Sequence, residues 1–567
     1  MSYGWDFAPE LLTVGLWDDV LLHTTGPAAI VGVRVLTRPT SDGALAVLEL
    51  DVDVAEPAAL VAGAVVSGPD GGPVAASTVD WSAPAGRTRQ RLRLALPAAE
   101  RWEPWERGRA ALYRVAIELR ADGALSDRCE ERFGIRTVAV TAPAGRGQGA
   151  PADDCVGLVV NGRTLFLRGA NWTPNDALLG RLRDEDYRQR IEQAKAANIN
   201  LLRVWGGGLR EREAFYRACD EAGMLVWQEF PFSVAFFDRF PREPGYLALV
   251  EDECRGIVRA LRNHPSVALW CGGNEFSPRR NRPVVDAIAR AVAREDGSRP
   301  FRAASPGPGE RHHWRVWHGK ANVADYRKED APLLSEFGLQ APPNLESLRL
   351  ALPEDERPGP SWEAHSAQLE KLRRYARTSA ANVPTFIAAS QRAQAVGLQV
   401  AIEHVRRRKG ATTGTLFWQL NEPWPAITWS VIDYYGRPKL AYERLRGCYA
   451  PILVSLEYPL AAYHAGDVLR GTLWIVNDTP DTLDRLEVTA AVDGTEVLRR
   501  MAVAAPNAAT RLGEVALRLP SAGTLTVRAR RRGHVLSENV YDLGWHDPLG
   551  IRPLDAIRDW TTWRVLH

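Results

Sequence analysis

Two short apolar runs in this chain each end in a glutamate: Leu269-Trp270-Cys271-Gly272-Gly273-Asn274-Glu275 and, further along, Leu333-Leu334-Ser335-Glu336-Phe337-Gly338. The pattern is that of two buried strands delivering two carboxylates to one end of a common core. The chemistry served by such a pair is acetal cleavage, which needs a proton on the leaving oxygen and stabilisation of an oxocarbenium-like centre on the opposite side. One glutamate must stay protonated and the other ionised, so their surroundings have to push the two pKa values apart. A glutamate on a solvated loop would not serve.

The elements needed to hold such a pair can be read from the flanking sequence. Residues 152–451 alternate strand-like and helix-like stretches with the period of a (β/α)8 barrel. The expected strands are Leu165–Asn171, Asn200–Trp205, Leu225–Phe230, Val267–Gly273, Phe301–Ala304, Trp314–Trp317, Pro332–Phe337 and Gly414–Leu420. Helices are expected from Asp184 to Ala197 and from Arg212 to Ala222. Between the last two strands a long insertion carries a helix over Val383–Arg407, expected to pack outside the barrel. Glu275 and Glu336 then fall at the C-terminal ends of the fourth and seventh strands, the face on which barrel active sites lie.

On either side of this region the texture is that of antiparallel sheet. Leu45–Val54 and Leu112–Leu119 alternate apolar and polar positions, as do Val468–Val476 and Leu525–Ala529. The fold class is therefore multidomain: a central TIM barrel flanked by immunoglobulin-like β-sandwiches at 26–140 and 452–567, with a Gly/Pro/Ala-rich linker over Ala142–Pro151.

Composition excludes several other classes. An apolar content of 45% and a charged content of 25% are those of globular protein. A net charge of +2, from 71 basic and 69 acidic residues, gives no global attraction to nucleic acid. The runs Arg406–Lys409 and Arg528–Arg532 read as solvated helix-end and strand faces. Six scattered cysteines without a Cys-x-x-Cys pair indicate neither a zinc site nor a disulfide framework, and suit a cytoplasmic, reducing compartment. No export signal is recognisable at Met1, and no apolar run of about 18 residues suggests a membrane span. The histidines lack metal-ligand spacing, so no metal and no organic cofactor is expected. The 19 tryptophans supply flat apolar faces suited to sugar rings as well as to core packing.

A set of motifs in fixed order resembles glycoside hydrolase family 2, most closely its β-mannosidase-like branch. They are Arg168-Gly-Ala-Asn-Trp172, Arg203-Val-Trp-Gly-Gly-Gly208, Leu225-Val-Trp-Gln-Glu229, Asn263-His-Pro-Ser-Val267, Gly273-Asn-Glu275, Val316-Trp-His-Gly319, Ser335-Glu-Phe-Gly338 and Phe417-Trp-Gln-Leu-Asn421, followed by Trp424-Pro425 and Ile432-Asp-Tyr-Tyr-Gly436. The resemblance implies a retaining mechanism with Glu275 as general acid/base and Glu336 as nucleophile, about 5–5.5 Å apart. It further implies that Asn274 bonds the sugar 2-hydroxyl and that Arg203 keeps Glu336 ionised. Trp205, Trp317 and Trp418 are candidates for a sugar-facing wall, and His312 or His318 for hydroxyl contacts. Asn171, Trp172 and Asp176 are placed on the same face. The expected partner is a β-linked oligosaccharide or glycoside, with neither nucleic acid nor membrane; oligomeric state is not legible.

The resemblance extends to the start of the chain. Gly4-Trp-Asp-Phe-Ala-Pro9 and Gly15-Leu-Trp-Asp-Asp-Val-Leu-Leu22 look like the last strands of the family's N-terminal sugar-binding jelly roll, leaving residues 1–25 as a remnant of a domain that would need on the order of 150 more residues. By analogy Asp6 reaches a substrate hydroxyl. The strands near it are expected to show an uncovered sheet edge, which favours self-association.

Two departures touch the pocket wall. Gly273 stands where the branch usually carries Asn, with Phe276-Ser277 after the acid, and the family's Gly-Gly-Gly-x-Tyr-Glu becomes Gly208-Leu-Arg210-Glu211. The sugar is therefore less determined than the reaction, and β-galactosidase, exo-β-glucosaminidase and β-glucuronidase specificities stay open. So does a truncated, non-catalytic carbohydrate-binding protein.

Overall fold

The computed structural model describes residues 3–143, 156–352, 357–376 and 382–547. Most of the expected linker, Cys155 and the chain beyond residue 547 lie outside the described residues. The eight barrel strands are Leu167–Trp172, Leu201–Val204, Leu225–Glu229, Val267–Cys271, Phe301–Arg302, Glu310–His312, Leu333–Glu336 and Gly414–Phe417. They form one parallel sheet in the order fifth, fourth, third, second, first, eighth, seventh, sixth. The first strand pairs with the eighth, so the sheet wraps round; the ladder is open only between the fifth and sixth strands.

Six of the strands are buried on both faces, as a barrel packed outside by helices demands, whereas the short fifth and sixth are partly exposed. Helices Asp184–Ala196, Glu213–Ala222, Pro244–Leu261 and Arg282–Glu295 follow the first four strands. Three acidic residues open the first of these, where the helix dipole favours them. The second ends at Gly223, whose φ of 70° is left-handed and whose absent Cβ would meet the Trp105 backbone nitrogen at 2.7 Å. That close approach docks the barrel on the loop below the N-terminal sandwich.

Two strand expectations need correction. The sixth strand is Glu310–His312, because Trp314–Trp317 lies in a turn that closes with His318 N–H donating to the Trp314 carbonyl. Its apolar tryptophan and valine fill the core without extending the ladder. The first barrel strand begins at Leu167, since Arg163–Leu165 pairs antiparallel with Gly157–Val160 in a separate small sheet beside Val138–Thr141.

The flanking domains are each a sandwich of a three-stranded and a four-stranded antiparallel sheet, spanning strands from Ala28 to Phe133 and from Ile452 to Asp542. Tyr113–Ala121 alternates buried and exposed residues throughout, the signature of one face in a core and one in water.

The helix Val383–Arg407 forms as expected, capped by Asn382 Oδ1 accepting from Thr385 N–H over 2.9 Å. Its basic end, however, is not a solvated face. Arg406 is fully buried and donates to Asp478 over 2.9 Å, Arg407 donates to Ser455 Oγ over 2.8 Å, and Lys409 pairs with Asp478. Arg168 from the first barrel strand reaches the same carboxylate over 2.8 Å. The helix end docks on the C-terminal sandwich, so charges read as solvent-facing join barrel to sandwich instead. Arg528 and Arg531 of the second basic run are surface strand residues paired with Glu538 and Asp484.

At the start of the chain, Tyr3–Trp5 and Ala8–Glu10 form a two-stranded hairpin whose turn enters the barrel mouth. Phe7 is completely buried between Trp205 and Trp418, at ring distances of 5.4 and 5.6 Å, and its carbonyl accepts from Trp424 Nε1 over 2.8 Å. Burying a phenylalanine contributes roughly 1.5–3 kcal/mol toward holding the hairpin in place. Beyond it, Leu11–Leu22 exposes Val14, Leu16, Leu21 and Leu22 and is tied down by Asp18 pairing with Arg212 at 3.2 Å.

Candidate active site

Glu336 ends the seventh strand and Glu275 lies just past the fourth, as the sequence pattern requires. Their environments differ. The Glu336 side chain is 4% exposed and that of Glu275 34%. Burial, reinforced by the nearby Glu275 charge and opposed by His312 and Arg203, pushes Glu336 up to about 6.

Arg203 is the hub. Fully buried on the second strand, it donates from Nε to Glu229 over 2.9 Å, from Nη2 to Asn274 Oδ1 over 2.7 Å, and from Nη1 to both Asn171 Oδ1 and Glu336 Oε1. Burial disfavours its charge, but the Glu229 and Glu336 carboxylates outweigh that and hold it protonated. Asn171, also fully buried, donates to the carbonyls of Ser335 and Phe417 over 2.9 and 3.0 Å, tying the first strand to the seventh and eighth. It acts by fixing Arg203.

The turn delivering Glu275 is tightly constrained. Gly273 has φ of 142°, and a Cβ there would meet the Phe232 carbonyl oxygen at 2.2 Å. The departure from the branch's usual Asn thus matches a backbone approach that only glycine permits. Glu275 itself is left-handed at φ 50°, with its N–H donating to the Ser305 carbonyl over 2.7 Å. A non-glycine residue held in that region is the kind of backbone strain found at functional sites.

His312 lies between the two carboxylates: its Nδ1 is 2.7 Å from Glu275 Oε1 and 3.2 Å from Glu336 Oε2. Its ring thus faces the carboxylates, whereas the sequence suggested sugar hydroxyls. Burial opposes its charge, but Glu336 and Glu275 overcome this and raise its pKa. Trp314 Nε1 donates to Glu336 Oε2 over 3.3 Å. Ligand atoms of Glu275, His312 and Glu336 lie within 4.8 Å of one another, close enough on distance alone for a metal ion. The buried Arg203 charge bound to Glu336 would repel a cation there, so the trio reads as an ion-paired cluster.

Around the pair stands an aromatic wall. Trp205 and Trp418 are 5.5 Å apart, with Trp5 5.0 Å from Trp205 and Trp314 6.4 Å from Trp418. The Trp418–Gln419 peptide is cis. Asp6, in the hairpin turn, is pushed up to about 7 by burial and by the Glu275 charge, with Lys371 opposing.

Other expected residues are placed elsewhere. Trp172 is completely buried behind the barrel, stacked toward Tyr187 and bonded from Nε1 to Glu211 over 2.9 Å. Trp317 is equally buried, stacked on Tyr375, with Nε1 donating to Gln368. Trp172 points away because side chains at adjacent strand positions alternate direction, and Trp317 because the turn after the sixth strand carries it against Tyr375. Asp176 accepts from Tyr434 and pairs with Arg181 at the rim. His318 contacts Lys371 at 3.4 Å and packs on Trp314. Glu229, Ser305, Glu310 and Trp314 were not singled out from sequence as site residues. Glu229 and Trp314 were visible at a motif end and at the start of an aromatic run, whereas Ser305 and Glu310 carried no signal.

An eight-stranded parallel barrel with a strand-end carboxylate pair around a buried arginine defines a structural class, and comparison with known proteins narrows it. A family model described as glycosyl hydrolases family 2, TIM barrel domain, matches residues 154–340, and one described as glycosyl hydrolases family 2 matches residues 28–136. The solved β-D-mannosidase of Dictyoglomus thermophilum is similar with a TM-score of 0.85 and 30% identity, covering 96% of this chain and 70% of that one. The chain belongs to glycoside hydrolase family 2. It is also similar to the β-mannosidase of Mus musculus, at 28% identity over 80% of this chain and 58% of that protein. The chain thus spans less than two thirds of that relative's length. The exo-chitosanase of Amycolatopsis orientalis shares the fold, with a TM-score of 0.70 at 19% identity over 91% of this chain and 64% of that one. No described helix is long and apolar enough to cross a membrane.

Proposed function

We propose that this protein is a retaining exo-β-glycosidase of β-mannosidase-like specificity. The observation carrying the reading is the carboxylate pair: oxygens of Glu275 and Glu336 lie within 4.8 Å of each other. Carboxyl groups about 5–5.5 Å apart suit direct attack by one of them, whereas inverting pairs stand about 6.5–9.5 Å apart to admit a water.

Glu336, buried and held by Arg203 and Trp314, is the nucleophile; its oxygen bonds to the anomeric carbon as the glycosidic bond breaks. Glu275, more exposed, protonates the departing oxygen and later takes a proton from the water that releases the sugar. Asn274 offers its amide N–H to the 2-hydroxyl, because its Oδ1 is already engaged by Arg203. The exo mode is supported by the hairpin turn Asp6-Phe7, which packs on Trp205 and Trp418 and plugs one side of the mouth. Asp6 is assigned a hydroxyl contact in this pocket. The names of the mouse and Dictyoglomus relatives support the mannoside preference.

A reducing, cytoplasmic location is consistent with the free state of Cys129, Cys219, Cys254, Cys271 and Cys448. The test of function is initial rates on nitrophenyl β-mannoside, β-galactoside, β-glucoside, β-glucuronide and β-glucosaminide, beside Glu336→Gln. Preferred turnover of the mannoside, absent in the variant, is expected. Preference for another sugar overturns the specificity, and inactivity of the folded chain on all five overturns the reading.

A further inference from the structure

His312 has surroundings that hydroxyl recognition does not explain. Its Nε2 lies 3.2 Å from Ser305 Oγ, and Ser305 in turn donates its hydroxyl proton to Glu310 Oε1 over 2.5 Å. The Glu310 side chain is completely buried, is paired with Arg302 at 3.1 Å, and is held ionised by Arg302, His312 and Arg203 against the cost of burial. Because Glu310 is an acceptor only, the Ser305 hydroxyl must point to it, leaving a lone pair for His312. Nε2 therefore carries a hydrogen, and the exchangeable position of the ring is Nδ1, which faces Glu275 and Glu336.

We propose, resting on the glycosidase reading, that His312 is a proton-relay residue: it stores the proton that Glu275 delivers, and formation of the glycosyl-enzyme triggers its release. In the first half-reaction a Glu336 oxygen bonds to the anomeric carbon while the glycosidic C–O bond breaks. The proton on Nδ1 passes to the Glu275 carboxylate and from it to the departing oxygen, leaving His312 neutral. In the second half-reaction water attacks the anomeric carbon, the bond to Glu336 breaks, and the water's proton returns through Glu275 to Nδ1. Protons and charges balance over the cycle.

The trigger is electrostatic. In the resting protein the Glu336 carboxylate lies 3.2 Å from Nδ1 and stabilises the imidazolium. Esterification of Glu336 removes that charge at the moment the leaving group needs a proton. The other charged groups around the ring stay constant through the cycle: Glu310 on its own strand with Arg302 behind it, and Arg203 with Glu229 on the second and third strands. Asp6 in the hairpin turn senses the same two glutamates, with Lys371 of the helix Leu369–Ala376 opposing them.

A merely structural histidine would lower activity equally at every pH, whereas a relay moves one limb of the profile. His312→Gln is expected to lower kcat/KM by roughly 10²-fold on a nitrophenyl mannoside and far less on a dinitrophenyl mannoside, whose leaving group needs no proton. Its alkaline limb is expected to fall by about one pH unit or more, because the transferable proton then resides on Glu275 alone. Added imidazole should restore the limb in His312→Gly. Ser305→Ala, which keeps the ring in place, should move the limb in the same direction by less.

Nitrogen chemical shifts of His312 provide a readout independent of turnover: doubly protonated at pH 7 in the resting protein, singly protonated once Glu336 is esterified by a 2-fluoro-mannosyl fluoride. A neutral ring at pH 7, or unmoved limbs in both variants, overturns the relay even where the parent is fully active. A parent that turns over no glycoside overturns the glycosidase reading, and with it the relay, whatever the resting ring shows.

Discussion

Arg203 donates from Nη2 to Oδ1 of Asn274 over 2.7 Å, and that bond fixes which end of the Asn274 amide faces the pocket. With the oxygen taken, Nδ2 donates one hydrogen to Ser233 Oγ over 3.2 Å, and its second is the one that can face the pocket. The same guanidinium holds Glu336, so Asn274 beside Glu275 and the carboxylate of Glu336 share one anchor. One guanidinium therefore ties together the C-terminal ends of four barrel strands, the second, third, fourth and seventh.

Replacing Arg203 by Lys removes this shared anchor while keeping a charge. A lysine cannot reach Glu229, Asn274 and Glu336 together. We expect kcat/KM to fall by roughly 10²–10³-fold and stability by about 3–5 kcal/mol, as for a broken buried ion pair. Urea denaturation separates the two effects, and wild-type rates in a folded Arg203→Lys protein would contradict the role of hub.

The acid limb of the pH profile follows from Glu336. It must be ionised to attack, and burial pushes it up to about 6, so kcat/KM should rise through about pH 6 and flatten above it. Trp314→Phe deletes a donor to the ionised form, which moves this limb to higher pH. A limb below pH 5 in the parent would contradict the assignment.

The two glutamates should separate by leaving group. Glu336→Gln is expected to lose on the order of 10⁴-fold on every substrate. Glu275→Ala should lose about 10²–10⁴-fold on a nitrophenyl glycoside but retain most of the first step on a dinitrophenyl one, with burst kinetics as the signature. Identical losses on both substrates for Glu275→Ala would remove it from the acid role.

Asp6 tests the hairpin. Below pH 7 its carboxyl is largely neutral, since burial and the Glu275 charge push it up to about 7. Asp6→Asn should then match the parent at pH 6 and diverge above pH 7, whereas Asp6→Ala should raise KM by roughly tenfold with little change in kcat. Parent KM values in Asp6→Ala would show that the turn only packs.

Asp478 tests the domain junction. It gathers Arg168, Arg406 and Lys409, whose charges hold its carboxyl well below the usual carboxylate range despite burial. A depressed folded pKa gives stability that is fully present above the ordinary carboxylate range and lost only as pH falls below it. Asp478→Ala should therefore cost about 3–5 kcal/mol at pH 7, read as a lower urea midpoint, and less in strong acid.

The sequence by itself determined the local and periodic features. Apolar strands closed by glutamate placed Glu275 and Glu336, because a barrel strand buried on both faces must be continuously apolar and its C-terminal end is where a polar group can emerge. Alternation along Tyr113–Ala121 gave the sandwich, because the period of a strand is two. Tertiary structure alone decided the partnerships. Whether Trp172, Trp205 or Trp317 faces the pocket depends on which side of the wall each backbone presents, and composition carries no such direction. Arg406 looked like a solvated helix end until the C-terminal sandwich supplied Asp478, and Ser305 and Glu310 acquired meaning only through His312. Charges and hydrogen-bond donors find their partners across long chain separations, so their roles follow from packing, whereas burial and periodicity are written in the order of the residues.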